Sequence, residues 1–418
     1  MRIVHVVRVA MVAAGVLAGS ATAFAQTSAI NAQQLRDAIE QLREEFDARL
    51  AALEARLAAV EGSQAANASP APTTGALPVY GAVSAGSKMF NPDIGMIGNL
   101  ISAGGESRGG SATIAPIPFA TLQESEMSLQ AIVDPYARAD FFLAIGEEGI
   151  EVEEGYVTFP TLPGGLLLKA GKMRANFGRL NAFHNHALPW IDRPLAMYNL
   201  LGGSPLDPDT GIKDAGASIA RVIPAGNLFL EATGELFRGD SGTVFMSNRR
   251  SDVSTIGHLK AYADLTEQTN VEVGGSYARG HNDLGSAFVT QLYGADVTLR
   301  WRPLSRAIYR SLAARAELFW SRREEPALLQ EAFGGYASLD HGFRRRWFGG
   351  VRYDWSERAT NAAIQDTGAS AVLTFWPSEF SQIRGQYRRT RYGDDGRVAN
   401  ELLFQALFTI GAHGAHPF

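Results

Sequence analysis

The chain has 418 residues, no cysteine, and 38 Lys and Arg against 43 Asp and Glu. Without cysteine it has no disulfide, thiolate metal site or thiol nucleophile. A formal charge of −5 gives no support to a nucleic-acid partner.

The first residues read as an export signal. Arg2, His5 and Arg8 give a basic start, residues 9–19 are apolar, and Ala23-Phe24-Ala25 fits a small-x-small cleavage site. The apolar stretch is shorter than the ~20 residues a membrane helix needs, so 1–25 is expected to be a cleaved signal peptide. Losing Arg2 and Arg8 leaves 36 basic against 43 acidic residues, a net of −7.

Residues 31–61 change pattern. Leu35, Ile39, Leu42, Phe46, Leu50, Leu53, Leu57 and Val60 are spaced three or four apart, the seam of a coiled coil with one stutter at Phe46–Leu50. A periplasmic helix that self-associates is expected here, with a homotrimer as the assembly. Residues 62–87 begin with a small, polar, Pro-containing run and read as a flexible linker.

From 88 to 418 the pattern has period two. About 16 segments of roughly ten residues alternate apolar and polar side chains, as expected of an all-β transmembrane antiparallel barrel. Lipid offers no hydrogen-bond partners, so such a sheet must close on itself. In 289–302 one face carries Tyr293, Val297, Leu299 and Trp301, while the other carries Asp296, Thr298, Arg300 and Arg302. In 311–321, Leu312, Leu318 and Trp320 oppose Arg315, Glu317 and Ser321; in 347–356, Trp347, Val351, Tyr353 and Trp355 oppose Arg352 and Asp354. His258, Lys260, Tyr262 and Asp264 share one face of 255–265, as do Gln382, Arg384, Gln386, Arg388 and Thr390 of 381–392. A charge facing lipid at mid-bilayer costs about 2–4 kcal/mol, so the charged faces are placed inward.

Connections alternate in length. Short ones lie at 134–135, 162–165, 224–227, 266–270, 303–309, 341–346 and 377–380; long ones are expected at 103–120, 176–213, 239–254, 281–288, 357–366 and 391–400, with only 146–149 tight. With both barrel ends in the periplasm, the long set is external. One segment breaks the alternation: Glu151, Glu153 and Glu154 cannot all face water from a regular strand that lies wholly within the membrane.

Residues 176–213 form the longest connection and the third external one. Loops of that length in compact folds are usually functional. Its Phe177, Phe183, Leu188, Trp190, Ile191, Leu195, Met197, Tyr198, Leu200 and Leu201 need a surface to pack on, either the inner wall or a neighbouring subunit. If the loop narrows the lumen, selectivity rests on its Arg179, Asp192 and Arg193 and on the facing Asp296, Arg300, Arg315, Glu317, Arg352, Asp354, Arg384 and Arg388, a lumen of mixed sign. His184 and His186, with Asp192, are candidate metal ligands if the loop curls, although a spacing of two imposes no ligand geometry. His413 and His416 are weaker candidates. No nucleophile elbow, phosphate loop or paired-carboxylate constellation occurs, so an enzyme and a resident cofactor are not expected.

Segments 88–100 (KMFNPDIGMIGNL), 122–145, 152–159, 168–194 (LKAGKMRANFGRLNAFHNHALPWIDRP) and 411–418 (GAHGAHPF) resemble a group of porin-like bacterial outer-membrane proteins with an N-terminal coiled coil. Its members are labelled phosphate-selective porin O and P-like, or zinc-regulated TonB-dependent outer membrane receptor. The resemblance covers most of 85–418. It implies a Gram-negative outer-membrane location among lipid and lipopolysaccharide, and a channel for a small solute or ion. The receptor label implies a plug and a TonB box, where this sequence shows a coiled coil and linker. The phosphate label implies a concentrated basic lumen, which the strand pattern does not show. The reading is therefore a porin-type channel for small polar or ionic solutes constricted by 176–213. The alternatives are TonB-linked metal uptake and an envelope tether.

Overall fold

The computed structural model describes residues 92–106, 117–146, 149–207, 209–242 and 244–411. The signal peptide, coiled coil and linker expected at 1–25, 31–61 and 62–87 lie outside the described residues, as do His413 and His416.

Sixteen strands follow one another: β1 (Asp93–Gly105), β2 (Ala120–Asp134), β3 (Ala137–Gly146), β4 (Gly149–Leu162), β5 (Leu166–Arg174), β6 (Lys213–Ala225), β7 (Leu228–Phe237) and β8 (Ser254–Thr266). The second half comprises β9 (Thr269–Asn282), β10 (Gly285–Trp301), β11 (Ser311–Glu324), β12 (Leu329–Arg344), β13 (Trp347–Arg358), β14 (Asn361–Ser378), β15 (Ser381–Arg391) and β16 (Val398–Gly411). Every strand pairs antiparallel with its sequence neighbours, and β1 pairs with β16, with Gly95 opposite Gly411, to close the barrel. Closure removes the unpaired edges that an open sheet would carry into lipid.

Side chains alternate as the sequence indicates. Val297, Val351, Tyr353, Leu373 and Phe404 are exposed on the outside, while Asp296, Glu317, Arg352, Asp354, Arg384 and Arg388 are buried inside. Aromatic residues form two bands. Trp347 stacks on Phe375 at 4.6 Å near the short turns, and Trp320, Phe333 and Trp355 contact one another at 5.0 and 5.1 Å toward the other rim. Trp347 and Trp355 are separated by ~26 Å along β13, or ~20 Å of depth at a tilt of ~40°, the scale of a barrel's apolar belt. An arginine at Val351, between the bands, is therefore expected to destabilise the folded barrel by about 2–4 kcal/mol. Urea titration of refolding into vesicles measures this. No loss for Val351→Arg would count against lipid on that face.

Two connections differ from expectation. Those expected at 281–288 and 357–366 shrink to Asp283–Leu284 and Ala359–Thr360. Polar residues end the apolar pattern there, but hairpin pairing continues past the membrane: β13 and β14 still pair at Arg358 and Asn361. Register shifts occur in several hairpins, and those on β2 and β4 bear on the interior. Asn99 faces Glu124 and Leu100 faces Leu122, leaving Gln123 extra; Phe142 faces Glu154 and Leu143 faces Val152, leaving Glu153 extra. A bulge turns two consecutive side chains toward one face. This resolves the broken alternation at 151–154, because Glu153 and Glu154 are both buried inside.

Candidate functional site

The connection between β5 and β6 runs inside the barrel. It turns inward at Gly178, whose φ of +61° suits glycine and whose Cβ position would lie 2.5 Å from Glu317 Oε2. Its two ends are tied together by Asn181, whose amide donates to the carbonyls of Ala175 (2.8 Å) and Ile212 (2.9 Å) and accepts from Ile212 N–H (2.8 Å). Wall residues hold the first turn. Glu317 accepts from the backbone N–H groups of Arg179 (2.8 Å) and Leu180 (3.1 Å), and Ser276 accepts from Gly178 N–H (2.8 Å).

Beyond Pro194 a short helix, α1 (Leu195–Leu201), completes the loop. Phe177, Leu180, Leu188, Trp190, Met197, Leu200 and Leu201 pack against inward Leu292, Phe319 and Tyr336 as one apolar cluster. Phe177 stacks on Phe319 at 5.8 Å, and Trp190 meets Tyr336 edge-on at 5.4 Å. Full burial stabilises each large apolar side chain by about 1.5–3 kcal/mol, which explains why so apolar a loop lies against the wall. Of the two surfaces left open by the sequence, the inner wall is the one observed.

Asp192 anchors the far side. It accepts from Arg352 (3.0 Å), Arg388 (2.8 Å) and Gln386 (2.6 Å), and all four are buried. Burial alone would raise its pKa, but the two guanidiniums hold the carboxyl below its usual range. Arg352 also donates to Asp354 (2.8 Å), and Arg388 to Glu401 (2.6 Å). Arg384 caps the carbonyls of Leu188 (3.0 Å) and Trp190 (3.1 Å).

Arg179 pairs with Glu272, which also faces Arg300 at 3.4 Å, and Arg315 pairs with Asp340 at 2.5 Å. Asp296 is buried with Oδ2 unpartnered. Arg193 departs from its expected role: its guanidinium donates to Asn185 (2.8 Å) and to the carbonyls of Leu180 and Phe183, inside the loop's own fold. These bonds stiffen the loop, and the guanidinium lies nearest the β2 and β4 side of the wall, where Glu124 and Glu153 feel its charge.

Below the loop, toward the short turns, lies a cavity of about 150 Å³. Five arginines line it, Arg179, Arg300, Arg302, Arg315 and Arg384, with a single carboxylate, Asp340. The mixed lumen thus contains a basic region made of charges far apart in sequence.

The histidines lie elsewhere. Asp192 is spent on arginines, so the expected set of His184, His186 and Asp192 does not form. His184 instead sits between Glu126 (Nδ1 to Oε2, 2.5 Å) and Glu154 (Nε2 to Oε1, 2.6 Å), with Glu153 Oε2 3.4 Å from Nδ1. His186 Nδ1 is 3.3 Å from the same Glu126 oxygen. Burial favours a neutral imidazole, but Glu153 and Glu126 outweigh it and hold the His184 pKa well above its usual range. Glu124, Glu126, Glu153, Glu154, Glu272, Asp340, Gln386 and Asn181 were not legible as site residues. The available signals were the Glu153-Glu154 pair that broke the strand alternation and the inward face Gln386 shares with Arg384 and Arg388.

No family model matches the chain. An uncharacterized protein of Aquifex aeolicus (strain VF5) is 31% identical over 337 residues, covering 71% of this chain and 70% of that protein. Among solved structures, the chain is similar to a loop-deletion form of OmpT, an outer membrane protein of Vibrio cholerae, with TM-score 0.53, 12% identity, and 77% of this chain and 99% of that one covered. It is also similar to an anion-selective porin from Comamonas acidovorans (TM-score 0.51, 10% identity, 76% and 98% covered) and to Pseudomonas putida OprB (0.50, 9%, 77% and 94%). At these identities the structural likenesses establish the barrel fold alone. On sequence, the chain belongs to the same family as the Aquifex aeolicus protein, and its own fold is a closed sixteen-stranded barrel.

Proposed function

We propose that this protein is an outer-membrane porin-type channel, not an enzyme, that passes small polar or ionic solutes. The loop 176–213 is its constriction, and the passage favours anions. The observation that carries this reading is the third external loop lying inside a closed barrel, above a cavity lined by five arginines and Asp340. Even counting Glu272, which engages Arg179 and Arg300, three positive charges remain uncompensated there. Charges that line a narrow passage set the sign of the ions it admits. In this reading the barrel sits among outer-membrane lipid and lipopolysaccharide with its N-terminal extension in the periplasm. The coiled coil at 31–61 gathers three copies, and membership of the coiled-coil porin group is part of the same proposal.

Planar-bilayer recording with reversal potentials in a KCl gradient tests it. Single-channel steps with chloride more permeant than potassium are expected, and larger steps after deletion of residues 180–210. No steps from either protein would overturn the channel, and potassium preference would overturn the anion assignment. Steps that close in threes, lost on deletion of 31–61, are expected of the trimer.

A further inference from the structure

Where the loop crosses β2 and β4, the wall presents Glu124, Glu126, Glu153 and Glu154, all buried. Two bulges, at Gln123 and Glu153, are what turn these carboxylates inward together. Among the described residues two guanidiniums lie close: Arg174, which donates to Glu153 (2.7 Å), and Arg193, buried near enough to feel Glu153 and Glu124. With His184 protonated between Glu126 and Glu154 one negative charge is left over, and with neutral imidazoles, as a metal requires, two. Three carboxylate oxygens also lack any hydrogen-bond donor, namely both of Glu124 and Oε2 of Glu153. Buried carboxylate oxygens without donors are costly, and either a proton shared by Glu124 and Glu153 or a bound cation relieves that cost.

The donor atoms are arranged to receive one. One ring nitrogen each of His184 and His186 and a Glu126 oxygen lie within 4.8 Å of one another, as do one carboxylate oxygen each of Glu124, Glu126 and Glu153. The separations of 3.3 Å (His186 to Glu126) and 3.4 Å (His184 to Glu153) match the ~3.4 Å edge of a tetrahedron with bonds of ~2.1 Å. The 2.5 Å contact between His184 and Glu126 is a hydrogen bond, with a proton where the ion would sit. The other imidazole nitrogen of His184 meets Glu154, the outer carboxylate that orients a metal-bound histidine. His186 also lines the cavity below the loop, which provides an entry path.

We propose that His184, His186 and Glu126 form a site for one divalent transition-metal ion, with Glu153 and Glu124 beside it. The ion joins the loop to strand β2. Two imidazoles with carboxylates suit zinc, cobalt, nickel or copper rather than calcium or magnesium. On binding, the proton shared by His184 and Glu126 leaves for solvent, so uptake releases acid. The site is independent of what the barrel transports.

The test uses tag-free, full-length protein in detergent, stripped with chelator and then dialysed against Zn²⁺. One zinc per chain is expected by elemental analysis. With Cu²⁺ in place of zinc, electron paramagnetic resonance should show coupling to two imidazole nitrogens. Glu154→Gln is expected to weaken binding about 10–100-fold, and His186→Gln and Glu126→Gln by at least as much. Glu235→Gln, on β7 where the carboxylate accepts from Asn176, and the double change His413→Gln/His416→Gln should leave it intact. Folding of each variant is checked by heat-modifiable gel migration, and the copper spectrum of the unmodified protein decides the matter if a variant fails to fold. Less than a tenth of an ion per chain, fewer than two coupled nitrogens, or loss of binding in the His413/His416 variant would each overturn the assignment.

Discussion

Asp192→Ala is expected to free the long loop from the β13–β15 wall and raise single-channel conductance. The carboxylate is the shared acceptor of Arg352, Arg388 and Gln386. Removing one partner of a buried ion pair costs about 3–5 kcal/mol, because the remaining charge stays buried and uncompensated. That loss falls on loop docking, since the strand ladder closing the barrel does not include Asp192. The docked-to-released ratio should fall several hundredfold or more, seen as larger, noisier steps and as new protease cleavage within 180–210. Unchanged steps together with an uncut loop would refute the anchoring role. The pH response follows from the same residue. Its pKa is lowered in the folded protein, so the anchor is intact above the ordinary aspartate value of ~3.9 and is lost only as pH falls through the lower folded value. The Asp192 contribution to docking should stay constant from neutrality to about pH 4 and fall away below it, seen as an Asp192-dependent rise in conductance.

Arg302→Glu is expected to reduce the anion preference strongly at low salt. Arg302 is exposed at the mouth of the cavity, so the change alters charge by two units without disturbing a buried pair. A unit charge at ~4 Å in water is worth about 1 kcal/mol, so the chloride-to-potassium permeability ratio should fall roughly fivefold or more in dilute salt. Screening shortens the reach of that charge from ~30 Å at 0.01 M to ~3 Å at 1 M, so the effect should shrink as salt rises. A ratio that does not move at low salt would mean ions take a path away from this cavity.

The barrel was legible because lipid is an unforgiving solvent. Val351, Tyr353 and Trp355 against Arg352 and Asp354 allow one orientation only, and each such strand can be read without knowing its neighbours. The apolar content of 176–213 likewise indicated a loop that packs on something. Its partners were not legible. Asp192 reaches Arg388 across 196 positions, and Arg179 reaches Glu317 across 138; no local pattern encodes such distances. Strand continuation past the membrane at Arg358 and Asn361 was missed for a related reason, because hairpin pairing continues where the hydrophobic alternation stops.

The two histidines show the division most plainly. Their residue types and spacing made them candidate ligands, which sequence alone can establish. Asp192 is their near neighbour in sequence, but the folded chain gives it to arginines on β13 and β15 and sets Glu126, Glu153 and Glu154 around His184 instead. The cause is register. A strand's faces follow from its own side chains, but which of them meets the loop depends on bulges, and one extra residue on β2 and on β4 reversed the facing of part of each strand. Sequence by itself determined a barrel with a polar interior and a loop too apolar for water. Only the tertiary structure decided that the loop lies within the barrel, which charges it faces, and where its histidines find their carboxylates.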